Sequence, residues 1–233
     1  MKITKNTSLE KLILLPKEET TTEHYATLLG LSFPWVVEKT ELNKPEHTLT
    51  ITVAYKKGEK APCLECGNLC ILQDHRNERT WRHLDALQFQ TYLTCSVPRV
   101  KCPTHGAKTI EVPFAKSLVS YTELFSEYII KLLRTATSIS RVCELTNTSW
   151  NIVMSIQKDA VEKALKARDL NGIKTIGMDE KSFMKQHSYI TSLIDLEGRR
   201  ILEVAQDRLI ESAKKVLNVL SKEQQKQVEA CLC

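Results

Sequence analysis

The segment Cys63–Gly67 reads CLECG, and the segment Cys102–Gly106 reads CPTHG. In each segment two potential metal ligands stand three positions apart, and the glycine that follows relieves the tight turn that such a pair requires. Together the segments supply three thiols and one imidazole, which is a donor set for tetrahedral zinc. The predicted ligands are Cys63, Cys66, Cys102 and His105.

The 35 residues between the two ligand pairs exceed the usual spacing of a zinc finger. Because the β-prone piece Phe89–Val97 lies between them, an inserted β-hairpin is expected to bring the pairs together, as in a zinc ribbon. Cys70 and Cys95 lie in the same interval and stay open as alternative ligands. Four protein ligands leave no position for water, so the predicted role of the zinc is structural.

Composition places the chain among folded proteins of a reducing compartment. Its 233 residues carry eight cysteines and a net charge of +5. Residues 1–15 lack the features of a secretory signal, and no apolar segment has the length of a membrane span. We therefore expect a cytoplasmic protein that does not bind membranes, with its cysteines used for metal binding or kept as thiols. Residues 1–60 contain the alternating strand pattern Leu49, Ile51 and Val53 but no catalytic motif, and their role stays open.

Three helical patterns follow the cysteine-rich region. Ser120–Glu123 has the spacing of a capping box and predicts a helix from Tyr121 whose apolar stripe includes Leu124 and Tyr128. A short helix over 139–145, a polar break at 146–148 and a helix from Ser149 then match a helix-turn-helix. The alternative is an ordinary small helical bundle.

A helix-turn-helix would place its second helix in the major groove of double-stranded DNA. Ser149 and Asn151 are the candidates for base edges, and Trp150 is expected to pack rather than to contact bases. Residues 75–108 carry six Lys and Arg against two acids, which suits phosphate contacts, although an ordinary solvated face explains the same excess. The candidate phosphate contacts are Arg76, Arg79, Arg82, Arg134 and Arg141.

After Gly172 the apolar period changes from helical to alternating. Strands are predicted over 173–179, 188–196 and 199–205, followed by an amphipathic helix over 209–220, a capped helix from Ser221 and the start of a fourth strand after Val228. Asp179 ends the first of these strands, where a carboxylate could face a metal ion. A single acid at a strand end is also a common turn former.

In combination, these features resemble the DDE-type insertion-sequence transposases of the ISL3 family, over about residues 61–233. The strings that carry the resemblance are CLECG at 63–67, RTWRHLD at 79–85, QFQTYL at 88–93, VPRVKCPTHG at 97–106, IGMDEKSF at 176–183, HSYIT at 187–191 and DLE at 195–197. The resemblance implies a ribonuclease-H-like catalytic domain and binding to the terminal inverted repeats of an insertion element. The protein partners that it implies are a second copy or an intact transposase.

In such enzymes three carboxylates hold two Mg²⁺ ions about 4 Å apart. The resemblance makes Asp179 the first carboxylate and places the second on the fourth strand and the third on a later helix. Neither Asp195 nor Glu229 stands where the second is expected. We therefore expect a chain truncated within its catalytic domain, with Mg²⁺ needed only by an intact enzyme.

The predicted fold class is α+β and multidomain. It comprises an N-terminal segment (1–60), a zinc-ribbon-like β module (61–117), a helix-turn-helix bundle (118–172) and the incomplete start of a ribonuclease-H-like α/β domain (173–233). The alternative function is that of a zinc and helix-turn-helix regulator without a role in transposition, which would not need the strands after Gly172.

Overall fold

A computed structural model describes residues 20–135, 138–184 and 188–232, and for residues 183 and 184 it describes the backbone alone. The helices are α1 (Thr21–Leu28), α2 (Glu123–Thr135), α3 (Ile139–Thr146), α4 (Trp150–Ala167), α5 (Ile210–Leu217) and α6 (Lys222–Lys226). The strands are β1 (Trp35–Asn43), β2 (Thr48–Tyr55), β3 (Ala61–Pro62), β4 (Leu69–Cys70), β5 (Leu72–Arg82), β6 (Gln90–Cys102), β7 (Gly106–Thr109), β8 (Thr175–Met184), β9 (Ser188–Asp195), β10 (Arg200–Gln206) and β11 (Ala230–Leu232).

Some of the sequence-based expectations fall outside the described residues. The segment 1–15, read for a secretory signal, is one of them, and His187 and Cys233 are the others. The described chain divides into two compact units, with the boundary between Val161 and Glu162. No helix in the part of the chain that the structure describes is both long and apolar enough to cross a membrane.

Unit 1 is built on a sheet of five strands in the order β1-β2-β6-β5, with β7 paired to the end of β6. The alternation predicted for β2 is confirmed, because Leu49, Ile51 and Val53 are buried while the residues between them face the other side. β2 pairs in parallel with β6, from Thr48 opposite Gln90 to Thr52 opposite Thr94. Residues of β1 and β2 therefore share one hydrophobic core with the cysteine-bearing strands.

This shared core extends across the expected boundary between residues 60 and 61. The sequence pattern of β2 shows a strand but not its partner, and the partner lies about forty residues away in β6. Residues 20–60 are thus part of the β module, since they supply two strands of its sheet and helix α1 beside its core. Strands β5 and β6 form the antiparallel hairpin that was predicted between the two ligand pairs.

The helical part of unit 1 follows the predicted order with a shift at its start. Helix α2 begins two residues later than expected, because the Phe125 N–H donates to Oγ1 of Thr122 and the expected cap, Ser120, lies in the loop before it. Its buried positions are Phe125 and Ile129, while Leu124 and Tyr128 of the predicted stripe are nearly half exposed. The apolar face of α2 is therefore displaced by one residue from the stripe that the sequence predicts.

Helices α3 and α4 confirm the predicted helix, turn and helix. Asn147 ends α3 in the left-handed conformation, with φ 46° and ψ 49°. Its side chain makes this conformation less costly than it is for most residues. Ser149 caps α4 by accepting a hydrogen bond from the Ile152 N–H at 3.4 Å. Val142, Val153 and the aliphatic face of α2 form the core between the helices.

Unit 2 contains a four-stranded sheet in the order β10-β9-β8-β11. β8, β9 and β10 are antiparallel, and β11 returns beside β8 in parallel, with Leu232 opposite Gly177. Strand β8 runs to Met184, so Asp179 lies within the strand and not at its end as expected. Pairing with β9 as far as Ser188 is the physical reason for the extension.

Candidate zinc site and DNA-binding surface

The two predicted ligand pairs meet in unit 1. Cys63 and Cys66 lie in the turn between β3 and β4, which form a separate two-stranded sheet, and Cys102 and His105 lie at the turn between β6 and β7. The four ligand atoms all lie within 4.8 Å of one another. Sγ of Cys66 is 3.7 Å from Sγ of Cys102, and Nδ1 of His105 is 3.6 Å from Sγ of Cys102 and 3.8 Å from Sγ of Cys63.

These distances fit one tetrahedral zinc ion. Zn–S bonds of about 2.3 Å and a Zn–N bond of about 2.0 Å separate the ligand atoms by roughly 3.5 to 3.8 Å in a tetrahedron. Among the residues that the structure describes, this cluster is the only group of three or more Cys, His, Asp or Glu side chains arranged to share a metal ion. The cluster suggests a structural zinc.

Backbone groups favour the thiolate form that zinc requires. The N–H groups of His105 and Thr104 lower the pKa of Cys102 to about 7, and those of Glu65 and Cys66 lower the pKa of Cys63. A thiol with a lowered pKa releases its proton at little cost when a metal ion binds.

The alternative ligands Cys70 and Cys95 lie outside the cluster. Burial raises the pKa of Cys95 to about 12, and its residue is fully enclosed in the core. Burial also raises the pKa of Cys70, whose Sγ donates to the Asn68 carbonyl at 3.3 Å. Both residues therefore pack as neutral thiols.

Glu65 belongs to the outer shell of this site and was missed by the sequence reasoning. Its Oε2 lies 3.5 Å from Nε2 of His105, and its Oε1 lies 2.5 Å from Nζ of Lys108. Since Nδ1 of His105 faces the thiols, the carboxylate holds the opposite edge of the ring. The available signal was its position between the two cysteines of CLECG.

The candidate base-contacting residues lie at the start of α4. Ser149 and Asn151 are both exposed. Trp150, which was expected to pack, is 52% exposed, and the buried positions of α4 begin one turn later, at Val153 and Ile156. The expectation for Trp150 is therefore corrected.

Two of the candidate phosphate contacts in the helices are on the surface. Arg134 is exposed in the last turn of α2. Arg141 is exposed on α3, where its Nη1 lies 2.9 Å from Oε2 of Glu144. Contact of Arg141 with a phosphate would compete with this exposed ion pair, which is a weak interaction in water.

The three arginines of β5 differ sharply in exposure. Arg76 is exposed, whereas Arg79 is half-buried, donates to the Val119 carbonyl at 2.9 Å and lies over the ring of Trp81. Arg82 is buried, with 6% of its side chain exposed.

The Arg82 guanidinium donates to three backbone carbonyls and pairs with Asp85 at 2.5 Å. The carbonyl acceptors are those of His83, Thr91 and Thr146. Its Nη atoms are thus committed inside the protein, so Arg82 has a structural position and not the exposed one that the predicted phosphate contact requires. Because Thr146 ends α3, this side chain joins the β5–β6 hairpin to the helix-turn-helix.

Asp179, the predicted catalytic residue, is an exposed residue of β8 opposite Ser192 of β9. Its backbone carbonyl accepts a hydrogen bond from Ser192 Oγ at 3.2 Å. Asp195 is buried and holds a turn, accepting from the Gly198 N–H at 2.9 Å and from Nε of Arg200 at 3.0 Å. In the described chain, the structure brings no group of metal-binding acids together around Asp179.

Three family models match consecutive parts of the chain. Residues 59–105 match the zinc-finger of transposase IS204/IS1001/IS1096/IS1165, residues 110–161 match the helix-turn-helix domain of transposase family ISL3, and residues 176–233 match a transposase model of the same family. The first match covers the candidate zinc ligands, the second covers α2, α3 and the first two thirds of α4, and the third covers β8 from its second residue and includes Asp179.

Curated relatives agree with the family models. The transposase for insertion sequence element IS1557 of Mycobacterium tuberculosis is 28% identical over 78% of this chain and 42% of its own length. The transposase for insertion sequence element IS1001 of Bordetella parapertussis is 23% identical over 65% of this chain and 37% of its own length. This chain therefore spans less than half the length of these relatives, and no solved structure matches it significantly. The three family models, matched in order along the chain, show that it is similar to transposases of the ISL3 family.

Proposed function

We propose that this chain acts in DNA transposition by binding the terminal inverted repeats of its insertion element. One observation carries the proposal: a zinc-type ligand cluster and a helix-turn-helix with an exposed second helix lie in one compact unit. The relatives are named as transposases of insertion elements, and such an enzyme must recognise the ends of its own element. The regulator alternative is disfavoured because residues 176–233 also match a transposase model.

Zinc in this proposal is a structural ion held by the four clustered side chains. It cross-links the turn after β3 to the end of β6. All four positions around the ion are filled by protein, so it supplies folding free energy and no activated water.

DNA contacts in this proposal are divided between bases and phosphates. Helix α4 enters the major groove, where Ser149 and Asn151 reach base edges. Arg134, Arg141 and Arg76 contact phosphates, because they are the exposed members of the arginine set. Arg79 and Arg82 instead donate hydrogen bonds to backbone carbonyls of the protein and so hold its loops in place.

Unit 2 is, in this proposal, the beginning of a ribonuclease-H-like domain with Asp179 as its first metal-binding acid. Supporting it, β11, the fourth strand of this sheet, pairs in parallel beside the strand of Asp179. One carboxylate cannot hold two hydrated Mg²⁺ ions, so we expect residues 20–232 to bind DNA without cutting it.

The test is a gel-shift titration of the zinc-loaded chain against the terminal repeat of its own element and a scrambled duplex, with and without Mg²⁺. We expect a shift that is specific for the repeat and no nicking. Equal affinity for both duplexes would contradict terminal-repeat binding, and Mg²⁺-dependent nicking would contradict the assignment of binding alone. The mass of the shifted complex tests whether a second copy binds.

A further inference from the structure

Trp150 is an exposed aromatic side chain at a position where DNA recognition is expected. It is the first residue of α4, and 52% of it is exposed. The other tryptophans are packed, since Trp81 is fully buried and Trp35 meets the ring of Tyr55 edge-on at 5.0 Å. About half of this indole is thus available for a contact outside the chain, at the start of the second helix of the helix-turn-helix.

The surroundings of Trp150 favour nucleic acid as that contact. No Asp or Glu occurs in residues 145–158, although helix N-termini usually attract acids. The start of α4 therefore keeps its favourable potential for phosphates. Asn151 and Ser155 are exposed on the same turns and have neutral side chains that suit base edges.

We propose that Trp150 is a specificity-determining residue that packs against the C5-methyl group of thymine in the major groove. This inference rests on the proposed function and adds the type of base that α4 selects. The methyl group of thymine is the apolar feature of the major-groove edge, and an indole face offers a broad apolar surface for it. Hydrogen-bonding neighbours such as Asn151 then supply directional contacts beside it.

The test replaces thymine by uracil, which lacks only this methyl group, in successive short windows of the terminal-repeat duplex. For the full-length wild-type chain, we expect one window to weaken binding by about fourfold per methyl group removed, which corresponds to about 0.8 kcal/mol. The Trp150→Ala variant should bind the unmodified repeat more weakly and should not respond to uracil in that window.

The matched control is Tyr128→Ala, which removes an aromatic residue of α2 that is 44% exposed. It should keep both the affinity and the uracil response of the wild type. The assignment to Trp150 is overturned if uracil weakens binding of the wild-type chain in no window. It is also overturned if the Trp150→Ala variant responds to uracil as the wild type does. Repeat binding stands in both cases. If the wild-type chain binds the repeat and a scrambled duplex equally, the proposed function and this inference are overturned together.

Discussion

At the scale of single residues, the zinc cluster depends on four donor atoms whose separations suit one ion. Cys102 is central among them, because its Sγ lies within 3.7 Å of both Cys66 Sγ and His105 Nδ1. We predict that Cys102→Ser loses the bound zinc and unfolds the β module, since structural zinc supplies folding free energy. Metal content by atomic absorption and near-ultraviolet circular dichroism measure the two effects.

Cys143→Ser is the control for this prediction. Cys143 lies on α3, outside the cluster, and is only partly buried. The control should keep one zinc per chain and a native spectrum. A Cys102→Ser protein that holds as much zinc as Cys143→Ser would exclude Cys102 as a ligand.

Asp195 gives unit 2 a dependence on pH. Hydrogen bonds from the Gly198 N–H, and the ion pair with Arg200, lower the pKa of this carboxyl, whose side chain is 7% exposed. A lowered folded-state pKa means that the stabilisation is complete above the ordinary aspartate value of about 3.9. It is lost as the pH falls through the lower folded-state pKa.

We predict that Asp195→Asn lowers the free energy of unfolding of unit 2 by about 2 kcal/mol at pH 7. The difference from the wild type should begin to shrink as the pH falls below about 4, and it should vanish below the lowered folded-state pKa of Asp195, where both folded proteins carry a neutral side chain at this position. Urea titrations over a pH series provide the measurement, with Glu180→Gln at an exposed position of β8 as the control. A difference that stays constant down to the lowest pH would refute the role of the charge.

At the scale of elements, Arg82 connects the β5–β6 hairpin with the end of α3. A lysine keeps the charge but cannot reach all of the acceptors that the guanidinium fork reaches. We predict that Arg82→Lys lowers the free energy of unfolding of unit 1 by about 2 kcal/mol and weakens DNA binding, with zinc content unchanged. Chemical unfolding, gel shift and metal analysis measure the three quantities.

Arg76→Lys is the matched control, because Arg76 lies on the same strand but is exposed. It should unfold as the wild type does. If Arg82→Lys is as stable as Arg76→Lys, the contacts to Thr146 and Thr91 do not join the hairpin to the helices.

Elements with a local signal were predictable from the sequence, and their partners were not. The alternation of Leu49 and Ile51, and the break at Asn147, depend on neighbouring residues, so the strand and the helix-turn-helix turn were found. Parallel pairing of β2 with β6 depends on residues far apart in sequence and carries no local pattern. The cap at Thr122 was missed because Ser120 and Glu123 have the spacing of a capping box, whereas Thr122 and Phe125 do not. In the structure the Ser120 carbonyl instead accepts a hydrogen bond from the Arg82 N–H of β5.

The same distinction holds for the candidate site. The zinc ligands were predictable because turn geometry fixes their spacing, whereas the burial of Arg82 and the exposure of Trp150 follow from which face of an element the core covers. Arginine and tryptophan are both amphipathic, so residue type alone does not decide whether they pack or contact a ligand.

At the scale of the whole molecule, the proposed DNA surface and Asp179 belong to different compact units. We predict that Asp179→Ala binds the terminal repeat within about twofold of the wild-type affinity, because this acid serves metal-assisted chemistry and not recognition. Asn151→Ala, which removes a base contact from α4, should weaken binding by about tenfold, or about 1.4 kcal/mol. Fluorescence anisotropy at one fixed salt concentration compares the two, since phosphate contacts make affinity depend on salt. Weakening by Asp179→Ala equal to that by Asn151→Ala would mean that the DNA surface extends over unit 2.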